Sequence, residues 1–171
     1  MRSIHLVAIA VAAAALALTA GSASAALPER VTLDGIGGVR PGMSAAEASR
    51  RWGIPVRPTG PRGCQRAALR DGGRAAYAIF VGGRFAAAIF RKAVATDTGI
   101  RIGSTLAQLR RAYGRRISSR PNKYTPGARD LFVRRTRSPR WELRFDLSPK
   151  GRVTVIAFGR SEIVRLVEGC S

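Results

Sequence analysis

The chain contains a single histidine, His5, within an N-terminal stretch that reads as a cleavable export signal. Its loss leaves no Ser-His-Asp or Cys-His nucleophile pair, no histidine general base and no histidine-containing zinc site. The ten acidic residues are scattered. The nearest two on one strand face, Glu142 and Asp146, have Arg144 between them, which favours an ion pair over an acid–base couple. Gly35-Ile36-Gly37-Gly38 precedes a helical pattern but lacks the Lys-Ser/Thr that completes a phosphate loop. Asp71 before Gly72-Gly73 fits a hairpin tip; it could reach into another protein's cleft, but such an Asp is far more often a turn former. These residue types point away from catalysis, and no catalytic residue, cofactor or metal ligand is expected.

Binding chemistry is better represented. Arg110, Arg111, Arg115, Arg116, Arg120 and Lys123 are concentrated with Tyr113 and Tyr124 at a helix end and the Pro/Gly/Ser-rich stretch after it. Guanidinium groups that fork onto phosphate or carboxylate, with Tyr124 for stacking, suit an anionic envelope polymer or an acidic protein face. The competing reading is that Arg110 and Arg111 complement the C-terminal dipole of their helix. A second candidate surface is apolar: Tyr77 and Ile79 on one strand face, Phe80 and Phe85 beside them. A sheet without a polar face is covered on both sides or sticky on one. Cover from the second half of the chain or from the N-terminal segment is the expectation; an exposed surface for a protein partner is the alternative.

Arg2, the Ala-rich run Leu6 to Ala20 and Ala23-Ser24-Ala25 have the form of a secretory signal, with cleavage expected after Ala25. An uncleaved anchor is the rival, although the apolar run is shorter than a membrane-spanning helix requires. No cysteine lies near the cut, so lipid attachment there is not expected. In an exported protein the two cysteines, Cys64 and Cys170, read first as a disulfide, against free thiols or an intermolecular link. On the chain-entropy account, closing that long loop contributes about 4 to 5 kcal/mol. The full chain has 30 basic and 10 acidic residues and a formal charge of +20. Such an excess implies an anionic partner or a solvated arginine surface of purely compositional origin. Export argues against nucleic acid.

The elements that must position these residues are announced by a repeated stretch. Residues 38–53, GVRPGMSAAEASRRWG, match residues 99–114, GIRIGSTLAQLRRAYG. Self-similarity at a fixed offset predicts a duplicated supersecondary unit. Ser44 with Glu47, and Thr105 with Gln108, are capping boxes; Gly53 and Gly114 stand where a helix would stop. Ala45, Ala48 and Trp52 share one helical face, and Leu106, Leu109 and Tyr113 share the other. Helices so short must lie on something larger. Cys64–Arg70, Arg74–Val81 and Phe85–Arg91 read as strands after the first helix; Asp130–Arg137, Arg140–Leu147 and Arg152–Phe158 follow the second, and Glu162–Val167 reads as a closing strand. In Arg140–Leu147, Trp141, Leu143, Phe145 and Leu147 should face the core while Arg140, Glu142, Arg144 and Asp146 meet water.

Gly42-Met43-Ser44 opening a capped helix that ends Trp52-Gly53-Ile54-Pro55 resembles the signature of the SmpA/OmlA (BamE-like) envelope proteins. Its doubling resembles the architecture of beta-lactamase inhibitory proteins. The resemblance covers about sixteen residues per copy, and Ser104 replaces the methionine in the second. It implies an exported, non-enzymatic, protein-binding scaffold. The expected class is therefore α+β, a tandem duplication of a short helix followed by a three- to four-stranded antiparallel sheet: signal 1–25, one repeat over 26–97, the other over 98–171. The expected protein is a secreted monomer that binds an anionic envelope component or an acidic protein surface, with inhibition of an extracytoplasmic enzyme as the alternative.

Overall fold

The computed structural model describes residues 30–70, 73–135 and 138–166. The N-terminal stretch expected to be a signal, Asp71 and Cys170, and with Cys170 the expected disulfide, lie outside the described residues, while Cys64 stands immediately before the second strand.

The described residues form, in chain order, β1 (Arg30–Val31), α1 (Ala45–Trp52), β2 (Gln65–Arg70), β3 (Ala76–Val81), β4 (Arg84–Phe90), β5 (Ala95–Thr96), α2 (Leu106–Tyr113), β6 (Ile117–Pro121), β7 (Arg129–Arg135), β8 (Ser138–Leu147), β9 (Val153–Arg160) and α3 (Ser161–Val164), with a 3-10 turn between α2 and β6. β1 and β5 form a short parallel pair. The other seven make one antiparallel sheet in the order β2-β3-β4-β9-β8-β7-β6. The protein is thus α+β with a large antiparallel sheet, and the expectation of one three- to four-stranded sheet per repeat is corrected: β4 pairs with β9, so strands from both halves share a single sheet. Each small sheet would have left an apolar edge unpaired at that position.

Both capping boxes form. The Ser44 N–H donates to Glu47 Oε2 at 2.7 Å and the Glu47 N–H to Ser44 Oγ at 3.3 Å; the Ser44 hydroxyl, which also donates to Glu47 Oε2 at 2.7 Å, and then the Ser44 N–H hold the Glu47 carboxyl below its usual range. The Thr105 N–H donates to Gln108 Oε1 at 2.7 Å and the Gln108 N–H to Thr105 Oγ1 at 3.2 Å. Before each cap a glycine with positive φ, Gly42 at 90° and Gly103 at 87°, turns the chain onto the sheet. The Gly42 N–H donates to the Phe85 carbonyl and the Phe85 N–H to the Met43 carbonyl, at 2.8 and 2.7 Å. The Gly103 N–H and Val153 carbonyl, with the Val153 N–H and Ser104 carbonyl, repeat this at 2.8 and 2.9 Å. Each helix is thereby pinned to the start of a strand, α1 to β4 and α2 to β9.

α1 and α2 lie on one face of the sheet, over Phe80, Phe85, Leu131, Val133, Leu143, Phe145, Ile156 and Phe158. Trp52 packs edge-on against Phe85 and its Nε1–H donates to the Ile36 carbonyl at 2.8 Å. Tyr113 occupies the corresponding place on α2, against Phe145, but among the described residues its buried hydroxyl has no hydrogen-bond partner. Burial pushes the Tyr113 phenol above its ordinary pKa, against the weaker opposing influence of Thr96 and Thr98. The neutral form is therefore favoured on folding, a preference that costs stability only as pH rises through the unfolded phenol value near 10. Tyr113→Phe removes an unsatisfied buried hydroxyl at constant shape. It is expected to raise stability by about 1 kcal/mol at neutral pH, read as an upward shift of the urea midpoint, and to flatten the alkaline limb of the stability profile.

The opposite face departs from expectation twice. Glu162–Val167 is not a closing strand; its described part begins with the single helical turn α3. The adjacent Ile163 and Val164 both belong to one apolar cluster with Ile79, Ala86, Ala87, Ile89 and Ala157, which a strand does not arrange because it sends neighbours to opposite faces. Of the two covers expected for the apolar face, the second half supplies it, through this C-terminal turn, while Val31, Ile36 and Val39 from the N-terminal segment belong to the helix-side core. On the polar side of β8 Arg140 is exposed as expected, but Glu142 and Arg144 do not meet water. Glu142 is 0% exposed and Arg144 7%, because the chain after β9 folds back over them.

Candidate anion-binding groove

α2 buries Leu109 and Tyr113 and leaves Leu106 half-buried, with Arg110 one helical turn further along the same side. A 3-10 turn over Gly114–Arg116 then reverses the chain into β6, an edge strand paired with β7. The stretch expected as loop from Arg115 to Gly127 is therefore partly a strand. Alternation along it sends Ile117 and Ser119 to the helix side and Arg120 to the other.

Between α2 and this edge lies a half-open groove of about 730 Å³, lined by Leu106, Ile117 and Leu131, by Arg110, Arg115 and Arg129, and by Gly114 and Ser119. Arg129 is oriented by its Nε–H, which donates to Ser119 Oγ at 2.8 Å. No carboxylate lines the groove, and among the described residues Arg110 and Arg115 enter no ion pair. Three arginines thus border an apolar floor with no counter-charge among the described residues, which makes the groove attractive to an anion.

Only part of the expected arginine cluster takes part. Arg110 and Arg115 reach the groove; Arg111 and Arg116 are exposed, and Arg116 lies over the Tyr113 ring at 5.7 Å. Arg120 is engaged on the opposite face, donating from Nε to Asp130 Oδ2 at 3.2 Å and from Nη2 to the Arg165 carbonyl at 2.6 Å. Lys123 stacks on Tyr124, which is 53% exposed, in the turn after β6. Arg129 and Ser119 were not legible as partners of Arg110. The available signal was the alternation of Ile117, Ser118, Ser119 and Arg120 inside what reads compositionally as a loop.

The apolar candidate surface is corrected. Ile79 and Phe80 are 0% exposed and Phe85 1%, all within the core, so they offer nothing to a partner. Tyr77 is half-buried beneath the guanidinium groups of Arg66 and Arg91, at 5.2 and 5.5 Å from its ring centre. It lines a shallower basic concavity of about 570 Å³ with Arg74 at the β2 edge.

The carboxylates under the C-terminal segment are engaged with cations. Asp130 accepts from Arg120 and from Asn122 Nδ2 at 2.7 Å. Glu142 accepts from Arg165 Nε and Nη2, at 2.7 and 2.9 Å, and from Arg134. Arg144 holds Asp146 with both Nε and Nη2, and its Nη1 donates to the Val164 carbonyl at 2.8 Å. Phe132 is flanked by Arg120 and Arg165 at 5.0 and 4.5 Å. The ion pair expected of Arg144 forms with Asp146, while Glu142 has two other arginines. These contacts fasten the C-terminal segment to the sheet. Among the described residues no cluster of His, Cys, Asp and Glu could hold a metal ion, and no helix is long and apolar enough to cross a membrane.

No protein-family model and no curated protein matches the sequence. Among solved structures, an extracellular protein containing a SCP domain from Bacillus anthracis str. Ames is similar over 71% of this chain and 44% of its own, at 10% identity and a TM-score of 0.47. A DUF4309 family protein, YjgB, from Bacillus subtilis subsp. subtilis str. 168 is similar over 69% of this chain and 78% of its own, at 14% identity and a TM-score of 0.43. The chain spans less than half of the first of these, and neither likeness is close enough to assign a fold family or an activity.

Proposed function

We propose that this chain is an exported binding protein without catalytic activity, which engages an anionic component of the cell envelope through the groove between α2 and β6. One observation carries the reading: Arg110, Arg115 and Arg129 line a single concavity that, among the described residues, no carboxylate lines. The export-signal pattern and the basic excess support it. Inhibition of an enzyme through the sheet face loses support, since Ile79, Phe80 and Phe85 are core residues.

A matched-charge comparison tests the proposal. Arg110→Glu with Arg115→Glu is expected to weaken binding of a soluble envelope polyanion by more than about tenfold and to lower its salt dependence. Arg57→Glu with Arg62→Glu, exposed positions in the other half, makes the same change in net charge and should leave most of the affinity. Equal losses in the two double variants would mean that bulk charge, and no particular site, does the binding.

A further inference from the structure

We infer that the groove between α2 and β6 accepts an anionic amphiphile, an alkyl chain carrying a phosphate-like head, with the chain on the floor and the head at the arginines. The inference rests on the reading of this groove as an anion site and names the ligand class.

A polymer that is polar throughout needs only surface cations. This site offers more: Leu106 and Ile117 are partly exposed beside the buried Leu131, and together they form an apolar floor under the guanidinium groups. A wholly polar ligand would leave that floor wet. A chain laid across it would withdraw apolar surface from water on both partners. The volume of about 730 Å³ falls within the range of small-molecule sites, whose walls are mainly apolar with a few placed polar groups. Gly114 keeps one side of the groove low; a Cβ built there would meet nothing within 4 Å. The head site is partly prepared, because Ser119 already holds the Arg129 Nε–H and leaves the outer edge of that guanidinium for a bidentate oxyanion. Charge and apolar surface thus meet in one concavity with the polarity order of an amphiphile.

Calorimetric titration of the mature protein with n-alkyl phosphates from butyl to decyl, each below its micelle concentration, tests this against inorganic phosphate. Affinity should rise by about two- to fourfold per methylene until the floor is filled. Arg110→Gln and Arg129→Gln should weaken every member of the series by a similar factor. Ile117→Ser should flatten the chain-length dependence while retaining polyanion binding, which shows that the variant is folded. Phosphatidylcholine vesicles with and without phosphatidylglycerol distinguish sources: capture only by the anionic vesicles, sensitive to both Ile117 and Arg110, identifies a lipid headgroup with its chain, and dependence on both residues with monomers alone identifies a free amphiphile. An affinity that does not change with chain length, while polyanion binding still requires Arg110 and Arg115, overturns the amphiphile and leaves the anion site standing. Tighter binding of an acidic peptide along the β6 edge, with no chain-length dependence, also overturns it. Polyanion binding indifferent to these arginines would instead remove the anion site itself.

Discussion

Gly159→Val is expected to destabilise the protein by about 3 kcal/mol or more, at the upper end of overpacking effects. Gly159 lies in β9, opposite Ala87 on β4 and Glu142 on β8. A Cβ at this position would stand 2.4 Å from the Ala86 carbonyl oxygen, 2.5 Å from Ala87 Cβ and 2.6 Å from Ala87 Cα. Two of those atoms are backbone, so no side-chain rotation relieves the contact and the strands must part. The seam they would part is β4–β9, where strands of the first half meet those of the second. Gly159→Ala should act in the same direction with a smaller loss. Urea denaturation monitored by tryptophan fluorescence checks both, and a valine variant whose midpoint equals that of the wild type would show that the seam tolerates separation.

The second large effect is expected at Arg144. Burial disfavours its charge, yet the hydrogen bonds and attraction of Asp146 outweigh that cost and raise the guanidinium pKa above its ordinary value. Arg144→Met keeps most of the volume, strands Asp146 at 16% side-chain exposure and leaves the Val164 and Leu166 carbonyls without their donor. Breaking such a buried pair from one side costs about 3 to 5 kcal/mol. The loss should appear together with accelerated hydrogen exchange over residues 161–166, because the segment then keeps Ile163 and Val164 in the core and the contacts of Arg165 with Glu142 and Arg120 but loses its tie to β8 through Arg144. Arg144→Met combined with Asp146→Leu should recover much of the stability, since the isolated carboxylate is gone. A double variant no more stable than Arg144→Met would assign the loss to the carbonyl contacts.

Glu142 and Arg144 also show where sequence reading stops. Their alternation with Trp141, Leu143 and Phe145 distinguishes two faces of β8, and the apolar one is in the core as expected. Alternation does not say which polar face is wet. A charged row sealed under an ion-paired segment has the same pattern as a charged row in solvent, because the covering residues, Ile163 to Leu166, come from elsewhere in the chain. The groove is subject to the same limit. Arg110 and Arg115 were legible as a cluster because they are close in sequence, whereas Arg129 joins them across the β6–β7 pairing and Arg120 leaves them by the two-residue period of a strand.

The sequence by itself determined the local events: where α1 and α2 begin, at Ser44 and Thr105; which of their faces are apolar; and which turns glycine makes. Those are decided by hydrogen bonds and steric limits spanning three or four residues, so the information lies within each stretch. Tertiary structure alone decided that one seven-stranded sheet forms in place of two, that α3 closes the apolar face, and that three arginines and three aliphatic side chains share a groove. Each of those outcomes depends on surfaces brought together from distant positions, and their pairing is settled by which arrangement buries the most apolar area while leaving the fewest charges unpaired.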